Sequence, residues 1–166
     1  MLIRDVPDFP KPGVVFKDIT PVLAAPAAFR DVIELMAEPY LQSDVDAVLG
    51  IESRGFMFGA PLALQLGAAF VPVRKPGKLP RAANRVQYAL EYGSDALEIH
   101  LDALERGARV LIVDDVIATG GTAAAAAQLA TLAGAHVLGA TFLMELAFLE
   151  GRARLGDVPM SALLRY

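Results

Sequence analysis

The sequence predicts an α/β fold with a mostly parallel central sheet and helices on both of its faces. Short apolar segments alternate along the chain with segments of helical pattern. The apolar segment at 110–113, VLIV, is rich in β-branched residues, as is typical of a strand that is buried on both faces. Polar and glycine-rich segments directly follow the apolar ones. In a parallel sheet these segments meet at the carboxyl ends of the strands, where ligands bind.

The expected elements follow one another in the order that this fold requires. A helix is predicted from Pro26 to near Pro39, because proline is common in the first turn of a helix and stops a helix that precedes it. The central strand is predicted to end at the acidic pair Asp114 and Asp115, and the next helix to begin at the glycines that follow and to stop at Gly134. Further strands are expected at 47–50, 70–73 and 136–143, a helix at 58–66, and extended runs at 86–90 and 97–101.

The composition limits the kind of protein. With 166 residues, the chain has the length of one domain of ordinary size. Its 15 basic and 19 acidic residues give a net charge of −4, which argues against nucleic acid or an anionic membrane as partner. The chain has no cysteine and no N-terminal apolar stretch typical of a signal peptide, so a cytoplasmic location is expected. The hydrophobic share of 55% favours an oligomer that covers apolar surface.

Residues 110–122, VLIVDDVIATGGT, predict a binding site for a phosphorylated ligand. The first amides of a helix lack internal partners, and glycines let the main chain approach a phosphate closely. Thr119 and Thr122 can add hydroxyl donors, whereas the lysine of a Walker loop and the GxGxxG pattern of a dinucleotide fold are both missing. The carboxylates of Asp114 and Asp115 would accept hydrogen bonds from ligand hydroxyls, as a ribose 5-phosphate offers, or hold a cation. The alternative is a strand-to-helix connection with a solvated acidic turn.

This segment resembles the phosphoribosyl diphosphate binding motif of the type I phosphoribosyltransferases. Four more segments resemble, in the same order, segments of the adenine phosphoribosyltransferases within that family. They are FPKPGVVFKDITP at 9–21, GIESRGFMFG at 50–59, VRKPGKLP at 73–80 and LEYG at 90–93. The resemblance covers nearly the whole chain. It implies a single phosphoribosyltransferase domain over residues 1–166, with a small N-terminal hood at about 1–25 and a lid loop at about 78–93.

The resemblance also implies an activity, the transfer of a 5-phosphoribosyl group from phosphoribosyl diphosphate to adenine, which yields AMP and diphosphate in purine salvage. The ribose 5-phosphate would be bound by Asp114, Asp115, Ala118, Thr119, Gly120, Gly121 and Thr122. The diphosphate would be bound by Glu52, Ser53, Arg54, Arg74, Lys75 and Lys78, although each cation taken alone can equally be a solvated surface charge. The family implies a cis peptide bond between Glu52 and Ser53. The oxygens of the substrate suit Mg²⁺, which Asp114 or Asp115 would hold directly or through water.

Base recognition is expected in the hood. Pro10, Pro12 and Gly13 keep the chain extended, and this is expected to leave backbone groups of residues 14–17 free for a ligand. The resemblance implies that the Val15 carbonyl accepts from the adenine amino group, that the Lys17 amide donates to the neighbouring ring nitrogen, and that Phe16 stacks on the ring. Hypoxanthine and guanine present the reverse donor and acceptor order, which would cost about 1–3 kcal/mol for each buried group left unpaired. The alternative is that Phe9 and Phe16 are core aromatics.

The polar segment 78–93 is long for a connection in so short a chain and is predicted to be a lid that excludes water from the reacting sugar. By resemblance, Glu91 is the catalytic carboxylate, which handles a proton on the imidazole edge of the purine while N9 attacks the anomeric carbon and diphosphate leaves with inversion. Tyr92 would support closure of the lid.

Two other functions remain open. The first is a phosphoribosyltransferase for another purine base, although the FPKPGVVF segment is not expected in such a protein. The second is a non-catalytic sensor of phosphoribosyl diphosphate or a nucleotide, but the chain offers no room for a separate DNA-binding domain. The family resemblance also implies a homodimer.

Overall fold

The computed structural model describes residues 2–89 and 94–166. Its centre is a five-stranded sheet with strand order β4-β3-β7-β8-β9, in which all neighbouring strands are parallel. The strands of this sheet are β3 (Ala47–Ile51), β4 (Ala69–Val73), β7 (Arg109–Ile117), β8 (His136–Glu145) and β9 (Met160–Arg165). The predicted fold class is confirmed.

The helices cover both faces of the sheet because successive strand residues point to opposite sides. On β7, Val110 and Ile112 belong to the core cluster that contains the alanines of α4 (Gly121–Leu132). Leu111 and Val113 belong to the cluster on the other face, which contains apolar residues of α2 (Pro26–Ala37) and α3 (Gly55–Leu66). A short helix, α1 (Thr20–Leu23), and 3₁₀ turns at Glu38–Tyr40, Ala147–Leu149 and Gly151–Leu155 complete the helical elements of the described chain.

Two antiparallel hairpins flank the carboxyl edge of the sheet. The N-terminal hairpin pairs β1 (Arg4–Pro7) with β2 (Val15–Asp18). The second hairpin pairs β5 (Ala83–Ala89) with β6 (Ser94–His100) and packs Val86, Leu97 and Ile99 into the core cluster of α4. It is tied to the residue after β4 by two backbone hydrogen bonds between Arg74 and Glu98, of 2.9 and 2.8 Å.

Several predicted boundaries were wrong. The central strand does not end at the acidic pair but continues to Ile117, and Asp114 pairs in register with Phe142 of β8. The ladder with β8 continues through Val116 and Ile117, and the Arg54 guanidinium lies 3.1 Å from the buried carboxylate of Asp115. The helix predicted at 58–66 begins earlier, at Gly55. The strands β1, β2 and β9 and the helix α1 were not predicted.

The N-terminal segment corrects another expectation. Its backbone is not free throughout, because β2 pairs with β1 and the Val14 carbonyl accepts from the amide of Phe9 at 3.2 Å.

In the part of the chain that the structure describes, none of the helices has the length and apolar character needed to cross a membrane.

Candidate active site

A polar cavity of about 210 Å³, here called the edge cavity, lies at the carboxyl ends of β3, β4 and β7. The loops after these three strands converge on it, as the sequence predicted. Its lining includes residues that were predicted to bind the ribose 5-phosphate and residues that were predicted to bind the diphosphate. They are Glu52, Ser53, Arg54, Lys75, Asp114, Asp115, Ala118, Thr119, Gly120 and Thr122. Val116, Ile117 and Ala123 also contribute and were not predicted.

The glycine turn at the start of α4 shapes one wall of the edge cavity. Gly120 precedes the helix with a positive φ of +78°, a conformation that L residues with a side chain rarely adopt. A Cβ atom on Gly120 would lie 2.1 Å from the carbonyl oxygen of Gly151, so a side chain has no space there. The turn therefore brings the unpaired first amides of α4, with the positive end of its dipole, to the cavity. This is the arrangement that binds a phosphate group.

The acidic pair, Asp114 and Asp115, lies in β7, just before this turn, and also lines the edge cavity. Burial, and then the charge of Asp115, raise the pKa of Asp114 well above its ordinary value. Burial also raises the pKa of Asp115, although the nearby Arg54 guanidinium opposes the shift. The Oδ2 atom of Asp115 lies 3.1 Å from Arg54 and accepts no hydrogen bond from the described residues. A buried carboxylate oxygen without a donor is suited to accept from a ligand hydroxyl or to hold a cation.

Glu52 connects the loop that follows β3 to the loop that follows β4. Its carboxylate accepts from Nε of Arg74 at 2.9 Å and from the backbone amide of Lys75 at 2.8 Å. The hydrogen bond from Arg74, with help from that of the Lys75 amide, outweighs burial and lowers the pKa of Glu52. The peptide bond between Glu52 and Ser53 is cis, which confirms the expectation.

Two of the predicted diphosphate cations do not line the edge cavity. The Arg74 guanidinium bonds to Glu52 and lies 5.7 Å from the ring centre of Phe56, and Lys78 is exposed. Their roles toward diphosphate remain predictions. Glu91 and Tyr92, the predicted catalytic pair, lie outside the described residues.

A second cavity of about 170 Å³, here called the hairpin cavity, lies between β2 and the carboxyl end of β8. It is lined by residues 14–17, which were predicted to bind the base, by Arg54 and Asp115, which were predicted to bind the other substrate, and by three residues that were not predicted: Val116, Met144 and Leu146. The two cavities share Arg54, Asp115 and Val116. Met144 and Leu146 could have been found from their place at the end of a predicted strand, next to the central one.

The register of the N-terminal hairpin decides which backbone groups face this cavity. Val15 lies opposite Pro7, and Pro7 has no N–H with which to form a ladder bond. Along an antiparallel ladder, residue pairs with two hydrogen bonds alternate with pairs that have none. The bonded pairs are therefore Val6 with Phe16 and Arg4 with Asp18. We infer that Val15 and Lys17 direct their backbone groups away from β1.

The aromatic residues of the hood are not part of the main core. Phe9 is 52% exposed, and Phe16 is partly buried in the wall of the hairpin cavity, so the alternative of two core aromatics is wrong. The Phe9 and Phe16 rings meet edge to face at 5.2 Å. The Arg54 guanidinium lies 5.0 Å from the ring centre of Phe16. Arg54 thus contacts the aromatic wall of one cavity and the acidic wall of the other.

The residues at the edge cavity fit a magnesium ion that arrives with a substrate. Among the described residues, no three histidine, cysteine, aspartate or glutamate side chains form a metal cage. Mg²⁺ does not need such a cage, because it keeps several waters and takes one or two carboxylates plus substrate oxygens. Asp114 and Asp115 can supply these carboxylates, and Oδ2 of Asp115 has no hydrogen-bond donor among the described residues.

Comparisons with known proteins agree with this geometry. The family model described as "Phosphoribosyl transferase domain" matches residues 18–153. An adenine phosphoribosyltransferase of Acaryochloris marina is 58% identical over 165 residues, which cover 99% of this chain and 97% of the relative.

Two crystal structures are similar as well. The adenine phosphoribosyltransferase of Rhodothermus marinus superposes with a TM-score of 0.96 at 54% identity and covers 99% of this chain and 94% of its own. The Saccharomyces cerevisiae enzyme, complexed with an imino-altritol bisphosphate and adenine, superposes with a TM-score of 0.93 at 44% identity and covers 98% and 94%. With its phosphate-binding turn, its acidic pair and this similarity along almost its whole length, the chain belongs to the phosphoribosyltransferase family, among the adenine phosphoribosyltransferases.

Proposed function

We propose that this protein transfers the 5-phosphoribosyl group of phosphoribosyl diphosphate to adenine and releases AMP and diphosphate. The observation that carries the proposal is the contact between two unlike cavities. The edge cavity offers helix amides, hydroxyls and carboxylates, whereas the hairpin cavity offers an aromatic ring, apolar side chains and backbone groups. Because the two cavities share Arg54, Asp115 and Val116, a donor bound in one and an acceptor bound in the other would lie side by side, with the sugar carbon next to the ring nitrogen. A transferase needs this proximity of its two substrates.

In the edge cavity, the 5-phosphate binds at the turn formed by residues 118–122. Asp114 and Asp115 accept hydrogen bonds from the ribose hydroxyls, and the cis-linked Glu52 and Ser53, with Arg54 and Lys75, surround the diphosphate. Arg74 and Lys78, which do not line the cavity, are also assigned to the diphosphate. Asp114 or Asp115 would hold a magnesium ion that arrives with the substrate, and such an ion would supply positive charge for the leaving diphosphate. The support for this assignment is the convergence of most of these residues on one cavity.

In the hairpin cavity, the base is recognised mainly by hydrogen bonds to backbone groups. The Val15 carbonyl accepts from the exocyclic amino group of adenine, and the Lys17 amide donates to the neighbouring ring nitrogen. Phe16 packs against the ring, and Met144 and Leu146 close the apolar side. A 6-oxo purine would face these two groups with an acceptor against the carbonyl and a donor against the amide, so it is disfavoured.

The chemistry is a displacement at the anomeric carbon with positive charge on the sugar in the transition state. We assign the stabilisation of this charge to the carboxylates of Asp114 and Asp115, which line the edge cavity. We assign to Glu91 the transfer of the proton on the imidazole edge of the base. Tyr92 would support closure of the lid at 78–93. The single-domain boundary at 1–166, the homodimer and the cytoplasmic location also remain proposals.

The experiment that tests the function offers purified protein Mg²⁺, phosphoribosyl diphosphate and one purine base at a time. Formation of AMP and diphosphate with adenine, and little product with hypoxanthine, guanine or xanthine, is the expected result. Comparable product from a 6-oxo purine would favour a transferase for another base. Tight binding of phosphoribosyl diphosphate with no product from any base would favour the sensor and overturn the proposal.

A further inference from the structure

A cluster of polar side chains joins the second hairpin to the edge cavity. Nζ of Lys75 donates to the hydroxyl of Tyr88 at 3.1 Å and to the carboxylate of Asp95. The Tyr88 hydroxyl lies 3.3 Å from the Asp95 carboxylate and donates to it. Tyr88 and Asp95 are register partners on β5 and β6, so the hairpin presents them together. Neither residue lines the edge cavity, but Lys75 does.

We infer that Asp95 and Tyr88 are positioning residues that hold the ammonium group of Lys75 at the edge cavity to receive the diphosphate. This inference rests on the proposed function. A lysine ammonium has three N–H donors. Two of them are taken by Asp95 and Tyr88, and the third has no hydrogen-bond partner among residues 2–89 and 94–166 and can donate to an oxygen of the substrate.

Such support has a clear physical benefit. A free lysine side chain has four flexible bonds and loses conformational entropy when it binds a ligand. A hydrogen-bonded ammonium has already lost most of that freedom, so binding costs less. Burial lowers the pKa of Lys75, but the hydrogen bonds to Asp95 and Tyr88 outweigh it and leave that pKa raised. The side chain therefore keeps its charge at neutral pH.

The same cluster reaches the phosphate-binding turn. The Thr122 hydroxyl donates to the Tyr88 hydroxyl at 3.3 Å. Tyr88 thus contacts one residue assigned to the diphosphate and one assigned to the 5-phosphate, from strand β5, which lies within the segment 78–93 assigned to the lid. This places Tyr88 where it can fix the distance between the two loops that hold the two ends of the donor substrate.

The opposite role for Asp95 makes an opposite prediction. If Asp95 competes with the diphosphate for Lys75, its removal frees the ammonium and tightens binding. If Asp95 positions Lys75, its removal weakens binding. The sign of the change therefore decides between the two roles.

The test measures binding of phosphoribosyl diphosphate with Mg²⁺ by isothermal titration calorimetry, together with kcat and KM. Asp95→Asn is expected to raise the Kd by about five- to twentyfold and to change kcat by less than about threefold. Asp102→Asn is the matched control, because it removes a carboxylate that pairs with Arg81 at the other end of the same hairpin. The control is expected to bind like the wild type.

A second measurement shows whether Asp95 acts through Lys75. In a Lys75→Met background, Asp95→Asn is expected to have no further effect on Kd, because the group that it positions is gone. An unchanged or lower Kd for Asp95→Asn, or an equal loss in the Lys75→Met background, would overturn the inference.

Tyr88→Phe keeps the ring and removes only the hydroxyl, so it replaces Asp95→Asn if that variant does not fold. It is expected to weaken binding in the same direction, and unchanged binding would count against the inference. If the wild type itself neither binds phosphoribosyl diphosphate nor forms AMP, the proposed function fails. If the wild type does both and the variants match it, only this inference fails.

Discussion

The two cavities differ in how their walls are held. The wall of the edge cavity is the main chain that leaves the buried strand β7, with Gly120 pressed against Gly151. The wall of the hairpin cavity is the two-stranded N-terminal hairpin, whose β1 residues are all exposed. The phosphate-binding half of the site is therefore continuous with the core, whereas the base-binding half is attached to it. Substitutions should affect folding and binding together in the first half, and mainly ligand binding in the second.

The largest expected effect is that of Gly120→Ala in the edge cavity. The new Cβ would lie 2.1 Å from the Gly151 carbonyl oxygen, at a φ of +78°. The turn must shift, so we expect loss of measurable phosphoribosyl diphosphate binding and a fall of about 3–5 kcal/mol in the free energy of unfolding. Urea denaturation and calorimetry measure the two effects.

Gly67→Ala is the matched control for this substitution. Gly67 ends α3 with a φ of +65°, but a Cβ there meets no atom within 4 Å. It should cost about 1 kcal/mol from its backbone conformation alone and leave binding intact. Equal effects of the two substitutions would show that backbone conformation, and not the contact with Gly151, determines the turn.

The next largest effect is expected in the lid. Glu91→Gln should lower kcat by about 10²–10⁴-fold, as the loss of a positioned acid or base does. Binding of phosphoribosyl diphosphate should change little, because that substrate is assigned to other residues. Steady-state kinetics and calorimetry separate the two quantities. An unchanged kcat would remove Glu91 from the mechanism.

The same contrast explains what the sequence could predict. The phosphate-binding turn was predictable because its strand, acidic pair, glycines and helix are contiguous, so local chemistry alone identifies it. The extension of β7 past Asp114 was not predictable, because it is formed by pairing with β8, a separate segment of the chain.

Contacts between distant residues were also missed. The cluster of Lys75 with Asp95 and Tyr88 joins residues 20 and 13 positions apart, with no periodic signal between them. The pairing of β1 with β2 was missed because the prolines of the hood indicate extended chain but not which residues pair. Sequence patterns thus identified the parts of the site that lie on one segment and missed those formed by hairpin register.

A smaller effect is expected from Asp114→Asn, which should raise the free energy of unfolding and lower the affinity for phosphoribosyl diphosphate. Since burial and Asp115 raise the pKa of Asp114, the folded protein holds a proton that the unfolded chain has already lost. The free energy of unfolding therefore falls as the pH rises from the ordinary value, about 4, through the raised pKa. Asparagine does not titrate and can still accept from the amide of Asp115.

This variant should thus be more stable than the wild type by about 1 kcal/mol near pH 8, with no difference near pH 3. Its affinity for phosphoribosyl diphosphate should fall at the same time. Urea denaturation across the pH range measures the first effect. A stability gain that is the same at both pH values would mean that packing, and not ionisation, distinguishes the two side chains.

The smallest effect is expected in the N-terminal hairpin, from Asp5→Asn. Asp5 forms an ion pair of 2.6 Å with Nζ of Lys17, but its side chain is 61% exposed, and exposed pairs contribute little. The melting temperature should change by less than about 2 °C. The value of kcat/KM for adenine should stay within about twofold, because the Lys17 amide, and not its ammonium, is assigned to the base. A tenfold loss for adenine with unchanged phosphoribosyl diphosphate binding would show instead that side-chain contacts set the position of the hood. In that case the base-binding half would depend on its side chains as strongly as the phosphate-binding half depends on its glycines.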